Sequence, residues 1–517
     1  MNLPKAAGGP TPGKKLTIAI EGCCHGELDN IYGTLQHLEQ KEGKKIDLLI
    51  SCGDFQAVRN LDDLETMSCP VKYRALNTFY KYYSGEAKAP YPTLFIGGNH
   101  EAANYMWELY YGGWAAPNIY FMGYTGCVKF GGVRIAGLSG TYSQAAYMRG
   151  HDEKLPYSES SIRSMYHIRD FEVYRLMQIK QPVDIFLSHD WPTNIANYGN
   201  KEQLLSRKQF LRSEIEDGSL GNPAGQQLMS ALQPRYWFSA HMHTKFPAIV
   251  PHSDSSITRF LALDKCLPGR DFLQVAVIPL ISSSVFQHIF WTISYDEEWL
   301  AIMRSTHDVI NLDRRHQPLP GMGALRKGAS EADVKVVEEV LQQRGGAKID
   351  PTAFVQTARP ADASAAAASN SGSHTGFRGP KKRGRMPSAH VRNPQTESLL
   401  QMLQLPYNLE HGPRQMVNMM TGSVSCVVDN HAALPPPPAR TVTEDQVNAA
   451  LDNPEEIDLG GEEEDQVEEE EESGQQQAGQ DNTRVEEEQH KEADVVKPTV
   501  SLDGTTLEDD PMFKPMC

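Results

Sequence analysis

The sequence predicts a layered α/β domain of roughly 250 residues that is followed by a long polar tail. Two observations predict this fold class. Short apolar runs that are typical of buried strands alternate with segments of helical spacing. Each of these runs also stops at a polar cluster, and the carboxyl ends of strands are where open α/β sheets place ligands.

The predicted strands begin with residues 16–20 and recur along the first half of the chain. They cover residues 16–20, 46–51, 94–96, 133–139, 185–188 and 236–240, with further strands at 260–264 and 272–277. Helical spacing is present at residues 28–38, 71–83 and 299–310. Alternation of strands and helices indicates β-α units, with turns that carry polar residues.

The acidic charge of the chain is concentrated in its second part. The 517 residues carry a net charge of -17, but residues 1–320 hold 31 Lys and Arg against 32 Asp and Glu, and the remainder holds 18 against 34. The predicted folded part is therefore nearly neutral, which does not argue against a polyanionic substrate. The 8 cysteines lack paired spacing and favour a reducing compartment.

The two ends of the chain have compositions that differ from the centre. Residues 1–15 are rich in Pro, Gly and Lys and are predicted to be a flexible leader rather than a secretory signal. Residues 326–517 are predicted to be a mostly disordered tail with an Ala/Ser/Gly tract, a proline run and an acidic run at 462–472. Helical spacing at 332–343 and 397–405 marks two exceptions, which could dock splicing or RNA-processing proteins.

Two further segments concern localisation. The basic cluster of Lys381, Lys382, Arg383 and Arg385 predicts nuclear import, with non-specific contact to polyanions as the alternative. Residues 277–293 are apolar but too short and too interrupted to span a bilayer, so no membrane association is expected. This stretch is interpreted as buried strands, a divergent insertion or a gene-model artefact.

Residues 139–169 form a long irregular segment in which aromatic and basic residues alternate. The candidates for substrate binding are Tyr142, Tyr147, Arg149, Lys154, Tyr157, Arg163 and Tyr166. Aromatic side chains can stack on bases, and basic side chains can pair with phosphates. Loops of this length inside a compact domain are usually functional or disordered. A solvated surface excursion is the alternative interpretation.

The polar clusters at the strand ends carry residue types that bind divalent metals. The candidate ligands are Cys23, His25, Asp54, Asn99, His189, His241 and His243, and His100 is left over. Two metals need one bridging carboxylate and about three further ligands each, which this set supplies. The His-x-His and Cys-x-His spacings place both side chains of a pair on the same face of an extended segment.

Seven longer motifs surround these positions. They are GCCHGELD at 22–29, CGDFQAVRN at 52–60, FIGGNHEA at 95–102, YGGW at 111–114, FLSHDWP at 186–192, WFSAHMH at 237–243 and FLALDKCLP at 260–268. The order of these motifs along the chain resembles that of the calcineurin-like metallophosphoesterase superfamily. The residues of each motif are similar to those of the RNA lariat debranching enzymes within this superfamily. The resemblance implies a four-layer α/β/β/α sandwich at 16–250, a smaller C-terminal domain at 251–325 and a lariat recognition loop at 139–169.

The same resemblance implies roles for the strand-end residues. One metal pocket is expected from Cys23, His25, Asp54 and His243, and the other from Asp54, Asn99, His189 and His241, with Asp54 as the bridge and His100 as the catalytic histidine. Cys23 stands where most of the superfamily has Asp. Because a thiolate is softer than a carboxylate, Fe(II) and Zn(II) are expected in this binuclear centre, with Mn(II) as a substitute. Cys24 is the alternative sulfur ligand, and the spacing to His25 favours Cys23.

The function that the resemblance implies is hydrolysis of the 2′,5′-phosphodiester bond at the branch point of excised intron lariat RNA. The product is linear RNA for turnover in mRNA processing. Two alternatives remain at this point. One is another enzyme of the same fold, a protein phosphatase or a cyclic nucleotide phosphodiesterase. The other is a non-catalytic scaffold whose tail recruits RNA-processing partners.

Overall fold

Two mixed β-sheets packed face to face form the centre of the protein. The structure is a computed structural model that describes residues 15–280, 291–320, 327–370 and 383–410, and the short segments 415–417 and 424–426. The strands are β1 (Lys15–Glu21), β2 (Leu48–Ser51), β3 (Thr93–Phe95), β4 (Gly113–Ala116), β5 (Ile119–Phe121), β6 (Thr125–Phe130), β7 (Val133–Leu138), β8 (Ile185–Ser188), β9 (Tyr236–Ser239), β10 (Phe246–Pro251), β11 (Ile257–Ala262), β12 (Leu273–Pro279), β13 (Ser294–Tyr295), β14 (Gln415–Val417) and β15 (Val424–Cys426).

Helices connect these strands and continue after the last strand of the sandwich. They are α1 (Leu28–Glu42), α2 (Leu61–Leu64), α3 (Phe79–Ser84), α4 (Ala103–Glu108), α5 (Gln144–Tyr147), α6 (Glu159–Met165), α7 (Asp170–Leu176), α8 (Lys201–Arg207), α9 (Arg212–Asp217), α10 (Pro223–Leu232), α11 (Glu297–Thr306), α12 (Glu331–Arg344), α13 (Ala363–Asn370) and α14 (Pro394–Met402). Short 3-10 turns lie at Val71–Tyr73, Ile195–Tyr198, Gln209–Leu211, His307–Val309 and Pro351–Ala353.

Both sheets have a parallel centre with antiparallel strands at their edges. Sheet 1 has the order β12-β1-β2-β3-β5-β4, in which β1, β2, β3 and β5 are parallel. Sheet 2 has the order β10-β11-β9-β8-β7-β6-β13, in which β11, β9, β8 and β7 are parallel. Strands β14 and β15 form a separate antiparallel pair. Parallel strands deliver their carboxyl ends to one edge, and that is where the polar clusters meet.

The core lies between the two sheets. Side chains alternate along a strand, so Leu16, Ile18 and Ile20 of β1 turn inward and pack with residues of sheet 2 such as Ile135 and Phe238. Helices cover the outer faces. The Tyr32 hydroxyl of α1 hydrogen-bonds to Thr93 on the outer face of sheet 1 at 2.8 Å, and α7 and α11 pack on β6 of sheet 2. The four-layer α/β/β/α sandwich is confirmed.

The predicted strands are confirmed in position, whereas one predicted helix is wrong. The segment 71–83 is a 3-10 turn followed by α3, because Asn77 between them adopts a left-handed backbone (φ 47°) and donates from its side chain to the carbonyl of His25 at 2.5 Å. The sequence does not predict strands β4, β5, β6, β10, β13, β14 and β15. In β4, Gly113, Ala115 and Ala116 are residue types depleted in strands, and the strand forms by pairing with β5.

Ordered structure continues past residue 325, where composition placed the start of the tail. The predicted helices at 332–343 and 397–405 are present as α12 and α14. Gln395 of α14 accepts the backbone N–H of Trp114 at 2.8 Å, and the Trp114 indole donates to the carbonyl of Asp350 at 2.8 Å. The boundary at 325 is therefore too early, since the following segments complete the edge of sheet 1.

The apolar stretch at 277–293 is described only at its ends. Its first residues belong to β12, residues 281–290 lie outside the described part of the chain, and Ile293 is buried in the core. Within the residues that the structure describes, no helix has the length and apolar character needed to cross a bilayer.

A buried ionic cluster joins the C-terminal segment to the sandwich. The Arg59 guanidinium, which is 1% exposed, donates to Asp63 at 2.8 Å, to Glu108 at 2.9 Å and to the Thr357 hydroxyl at 2.8 Å. Its Cζ atom lies 3.8 Å from the ring centre of Tyr105. The negative charges of the buried Asp63 and Glu108 are thus balanced by one buried cation, the Arg59 guanidinium.

We expect Arg59→Ala to lower the free energy of unfolding by about 3–5 kcal/mol, because removing one partner of a buried ion pair leaves the other charge unpaired. Urea denaturation measures this. The matched control is Arg212→Ala, which removes an exposed ion pair with Glu216 and should change stability by less than about 1 kcal/mol. Equal effects of the two substitutions would contradict the structural role of the cluster.

Candidate metal centre

The turns that follow β1, β2, β3, β8 and β9 bring all the predicted ligand side chains to one edge of the sandwich. Four of these residues have left-handed backbones: His25 (φ 47°), Asp54 (φ 44°), His241 (φ 68°) and His243 (φ 46°). L-residues adopt this region only where the surroundings hold them there. One such restraint is the hydrogen bond from the His25 N–H to the carbonyl of Asp54, at 2.6 Å.

The first predicted pocket is formed by Cys23, His25, Asp54 and His243. A ligand atom from each of the four lies within 4.8 Å of every other one. Burial and the charge of Asp54 raise the pKa of the Cys23 thiol well above its usual range. A divalent cation would offset both effects, because a coordinating thiol is deprotonated. The backbone N–H of His241 also donates to the Cys23 sulfur at 3.3 Å.

The second predicted pocket is built around His189. Its Nδ1 donates to the carbonyl of Cys52 at 2.9 Å, which turns the Nε2 atom toward the site. Nε2 lies 3.2 Å from the Asn99 Oδ1 atom and 3.3 Å from the Asp54 Oδ1 atom. The His241 ring is 4.9 Å from the His189 ring, centre to centre. Several lone pairs that converge in this way fit a cation.

Asp54 lies between the two pockets. Its Oδ2 atom is 3.8 Å from Nε2 of His25, in the first pocket, and its Oδ1 atom faces His189, in the second. Oδ1 also accepts the backbone N–H of His100 at 2.8 Å. A carboxylate in this position can serve both pockets as a bridging ligand.

The ionisation of the site suits cation binding. Burial, assisted by neighbouring positive charges, lowers the pKa of His25 to about 4, of His241 to about 3 and of His243 to about 2. Burial acts to raise the pKa of Asp54, but His189 and the other imidazoles hold it well below its usual range. These three histidines are therefore neutral donors beside an ionised carboxylate at neutral pH, and metals bind deprotonated ligands.

His100 stands beside the ligands without completing either pocket. Its ring centre is 5.5 Å from that of His25, and the side chain is half-buried. Because its backbone is tied to Asp54, the imidazole has a defined position at the open side of the centre. This placement suits a group that exchanges a proton with a bound substrate.

Glu101 is a residue of the site whose role the sequence interpretation missed. Its buried carboxylate accepts the backbone N–H groups of Phe55 at 2.7 Å, Gln56 at 2.9 Å and Gly98 at 3.0 Å. It thereby joins the turn that carries Asp54 to the turn that carries the ligand Asn99. The available signal was its position directly after the Gly-Gly-Asn-His motif.

Two glycines make room for the ligands. A Cβ atom at Gly98 would lie 2.2 Å from the Asp54 Oδ1 atom and 2.7 Å from Nε2 of His189. A Cβ atom at Gly53, where φ is 108°, would lie 2.4 Å from Nδ1 of His189. Real Cβ atoms do not approach so closely, so both positions require glycine.

Part of the predicted recognition loop lies against the second pocket. Tyr142 and Tyr147 pack on each other at 5.4 Å between ring centres. The backbone N–H of Tyr142 donates to Asp190, the residue after the ligand His189, at 3.1 Å. Tyr166 is half-buried and lines an open cleft of about 380 Å³ together with Gly98.

The other loop candidates differ in exposure. Lys154 is exposed, Arg163 is half-buried on α6, and Arg149 is ion-paired with Asp152 at 2.8 Å. Tyr157 is only 8% exposed. Its ring packs inward, which leaves little surface on which a base could stack.

The base of this loop is anchored by a buried ionic network. His151 lies 3.1 Å from Glu172 through Nε2 and 3.7 Å from Glu153 through Nδ1, and Arg169 donates to Glu153 at 2.7 Å. Burial acts to lower the pKa of His151, but the two carboxylates outweigh it and raise the pKa. Burial acts to raise the pKa of Glu153, but His151 and Arg169 bring it to about 2.

We expect Gly98→Ala to weaken metal binding by roughly 10- to 100-fold, because the added Cβ atom would displace Asp54 and His189. Mutation of residues that orient metal ligands has effects of this size in other proteins. Elemental analysis of the purified protein measures the metal content. Gly33→Ala is the control, because Gly33 lies in α1 with nothing within 4 Å of an added Cβ atom, and it should keep its metals. Full metal content in Gly98→Ala would show that the backbone of Gly98 does not lie as close to Asp54 and His189 as the structure indicates.

We expect the loop anchor to weaken as pH rises through the folded-state pKa of His151. A raised histidine pKa stabilises the fold fully below the unfolded value of about 6.5, and that contribution is lost above the folded value. The lowered pKa of Glu153 contributes above about 4.3 and is lost as pH falls toward 2.

Amide exchange of residues 142–169, corrected for intrinsic rates, measures this change. Exchange should be faster at pH 9 than at pH 6, and His151→Gln should abolish the difference. A wild-type loop with equal protection at both pH values would show that the ion pairs do not hold it.

Comparison with known proteins places this centre in a family. Residues 16–245 match the model described as calcineurin-like phosphoesterase, a group that uses a binuclear metal centre, and residues 255–408 match the model described as lariat debranching enzyme, C-terminal domain. The lariat debranching enzyme of Arabidopsis thaliana is 48% identical over 399 residues, which are 77% of this chain and 88% of that protein.

Two vertebrate relatives match over shorter parts. Lariat debranching enzyme A of Xenopus laevis is 54% identical over 59% of this chain and 57% of its own length. The lariat debranching enzyme of Homo sapiens is 52% identical over 63% of this chain and 61% of its own length. The convergent donor set and the matches to both domains agree: the chain is a metal-dependent phosphodiesterase that belongs to the lariat debranching enzyme family.

Proposed function

We propose that this chain hydrolyses the 2′,5′-phosphodiester bond at the branch point of excised intron lariat RNA and releases linear RNA for turnover in mRNA processing. The observation that carries the proposal is the position of Asp54, with one oxygen toward each pocket and His100 at the open side. Such a centre suits hydrolysis of a phosphodiester, and the debranching C-terminal domain supports a branched substrate over a phosphoprotein or a cyclic nucleotide.

The first pocket would hold one divalent cation through Cys23, His25, Asp54 and His243, and the second another through Asp54, Asn99, His189 and His241. When bound, the cations neutralise phosphate charge and lower the pKa of the attacking water. The soft sulfur of Cys23 supports Fe(II) or Zn(II) in its pocket, with Mn(II) as a substitute.

The role of the protein side chains is to position the scissile bond and to supply a proton. Asp54 fixes the backbone of His100, so that the imidazole is presented at the open side of the centre. In the reaction a water gives one proton to the solvent, its oxygen bonds to phosphorus, and the bond from phosphorus to the 2′ oxygen breaks. His100 donates a proton to that leaving oxygen, which would otherwise depart as an alkoxide.

Binding of the branched RNA is assigned to the loop beside the second pocket. Tyr142, Tyr147 and Tyr166 offer half-buried rings near Asn99 and His189. Lys154, Arg149 and Arg163 supply positive charge on the same segment. The burial of Tyr157 gives it a packing role, so we include it as a support of the loop.

We also propose nuclear localisation, through the basic cluster at residues 381–385. Lys381 and Lys382 lie outside the described residues, and the backbone N–H of Arg385 donates to Asp62 at 2.7 Å. The acidic part of the tail, which also lies outside the described residues, is assigned to contacts with splicing or RNA-processing proteins.

Hydrolysis of a synthetic RNA with one 2′,5′ branch, beside a linear 3′,5′ control, tests the function in protein loaded with Fe(II), Zn(II) or Mn(II). We expect selective cleavage at the branch. His100→Ala should lower kcat by about 10²- to 10⁴-fold with metal content unchanged. His37→Ala, which alters an exposed histidine on α1, is the matched control and should retain full activity.

Two results would contradict this assignment. Equal cleavage of branched and linear RNA would show a general phosphodiesterase. Loss of metals from His100→Ala would show that His100 is a ligand rather than the proton donor.

A further inference from the structure

A group of basic and apolar side chains lies beside the first metal pocket, next to the backbone of Cys23. It is formed by the turn after β11 and by the segment between α8 and α9. We call it the basic strip and define it by Lys208, Phe210, Lys265, Leu267 and Arg270. None of these residues belongs to the ligand set or to the predicted recognition loop.

The basic strip is continuous with the metal centre through the backbone. Cys23 and Lys265 form a parallel β-bridge. The N–H of Cys266 donates to the carbonyl of Cys23 at 3.1 Å, and the N–H of Cys23 donates to the carbonyl of Asp264 at 3.2 Å. Lys265 is half-buried. A ligand that extends from the first pocket past Cys23 therefore meets Lys265 next.

The strip is electropositive. Burial lowers the pKa of Lys208, and the nearby charges of Arg270 and Lys265 lower it further, with Asp264 as the opposing carboxylate. Asp264 is 3.6 Å from the Arg270 guanidinium. Three cations that crowd one carboxylate leave excess positive charge at the surface, which favours a polyanion.

The same surface exposes apolar side chains. Phe210 is 53% exposed and Leu267 is 40% exposed. The Lys208 ammonium lies 5.8 Å from the centre of the Phe210 ring. An aromatic ring open to solvent and flanked by cations combines a stacking platform with phosphate contacts, and this combination is typical of surfaces that bind single-stranded nucleic acid.

We propose that the basic strip binds the single-stranded RNA arm that leaves the scissile phosphate on the Cys23 side. Lys265 and Lys208 pair with successive phosphates, and a base stacks on Phe210. The inference rests on the proposed function for its choice of substrate. Under this proposal two surfaces bind different parts of the branched RNA, because the recognition loop flanks the second pocket and the basic strip flanks the first.

The test compares branched RNAs that differ only in arm length. One has a single nucleotide on each arm, and the other has arms of about ten nucleotides, a length within the range that one single-strand surface covers. For Lys208→Ala with Phe210→Ala we expect kcat/KM on the long substrate to fall roughly 10-fold or more, through KM. The shortest substrate should change by less than about twofold, since it does not reach the strip.

Salt dependence gives a second readout. Loss of one phosphate contact should reduce the slope of log kcat/KM against log salt by about 0.7 on the long substrate. Lys208→Arg with Phe210→Tyr should restore the wild-type values, because it keeps the charge and the ring. Lys335→Ala with Val334→Ala removes an exposed cation and an exposed apolar group from α12, and it should have no effect.

Equal losses on the short and long substrates, or no loss on either, would overturn the proposal. If the wild-type chain cleaves no branched RNA, the proposed function fails and the strip is tested separately. Fluorescence anisotropy with a labelled single-stranded RNA of about ten nucleotides should then show affinity that the double alanine variant lowers roughly 10-fold. Unchanged affinity would also refute the strip.

Discussion

The carboxylate of Asp54 is the group on which both halves of the metal centre depend. It faces His25 on one side and His189 on the other, and it holds the backbone of His100. Without cations, an ionised carboxylate buried among imidazoles is an incomplete site, and this imbalance is the source of its affinity for divalent metals. The same carboxylate holds the backbone of His100, the residue that we propose as general acid, so the geometry of the pockets and the position of His100 are coupled through one side chain.

The site also depends on how the two sheets pack. Cys23, Asp54 and Asn99 follow strands of sheet 1, whereas His189 and His241 follow strands of sheet 2. The apolar side chains between the sheets therefore determine the distances across the metal centre. A shift of one sheet against the other would separate the two ends of each pocket, which explains why a large close-packed core lies directly beneath a small polar site.

The structure brings the predicted ligand residues together, and the sequence could indicate them because each follows an apolar strand, in a turn with metal-binding residue types. Glu101 could not be assigned in this way, since its partner Phe55 is 46 residues away and only the folded turns reveal the contact. The helix expected at 71–83 failed for a related reason. Its side-chain pattern is helical, but Asn77 turns left-handed to reach the carbonyl of His25.

The extent of the folded region was the least predictable feature, because composition describes a segment alone. The segment around Thr357 has no core of its own, yet Phe354 packs on the sandwich and the Thr357 hydroxyl bonds to the buried Arg59 and Glu108. Likewise, Gln395 completes the hydrogen bonds of Trp114 from the far end of the chain. Order in these segments comes from contacts with the sandwich, both hydrogen bonds and apolar packing, which composition alone does not show.

The contact between Arg59 and Thr357 has a consequence for the order of events during synthesis. The two residues are 298 positions apart, and ribosomes add about 5–20 residues per second. Arg59 therefore leaves the ribosome tens of seconds before Thr357. During that interval Arg59 and Glu108 lack their last hydrogen-bond partner, and the edge of sheet 1 beside Trp114 is uncovered. The edge of sheet 1 thus stays open to strand association until after His243, the last of the predicted metal ligands along the chain, has left the ribosome.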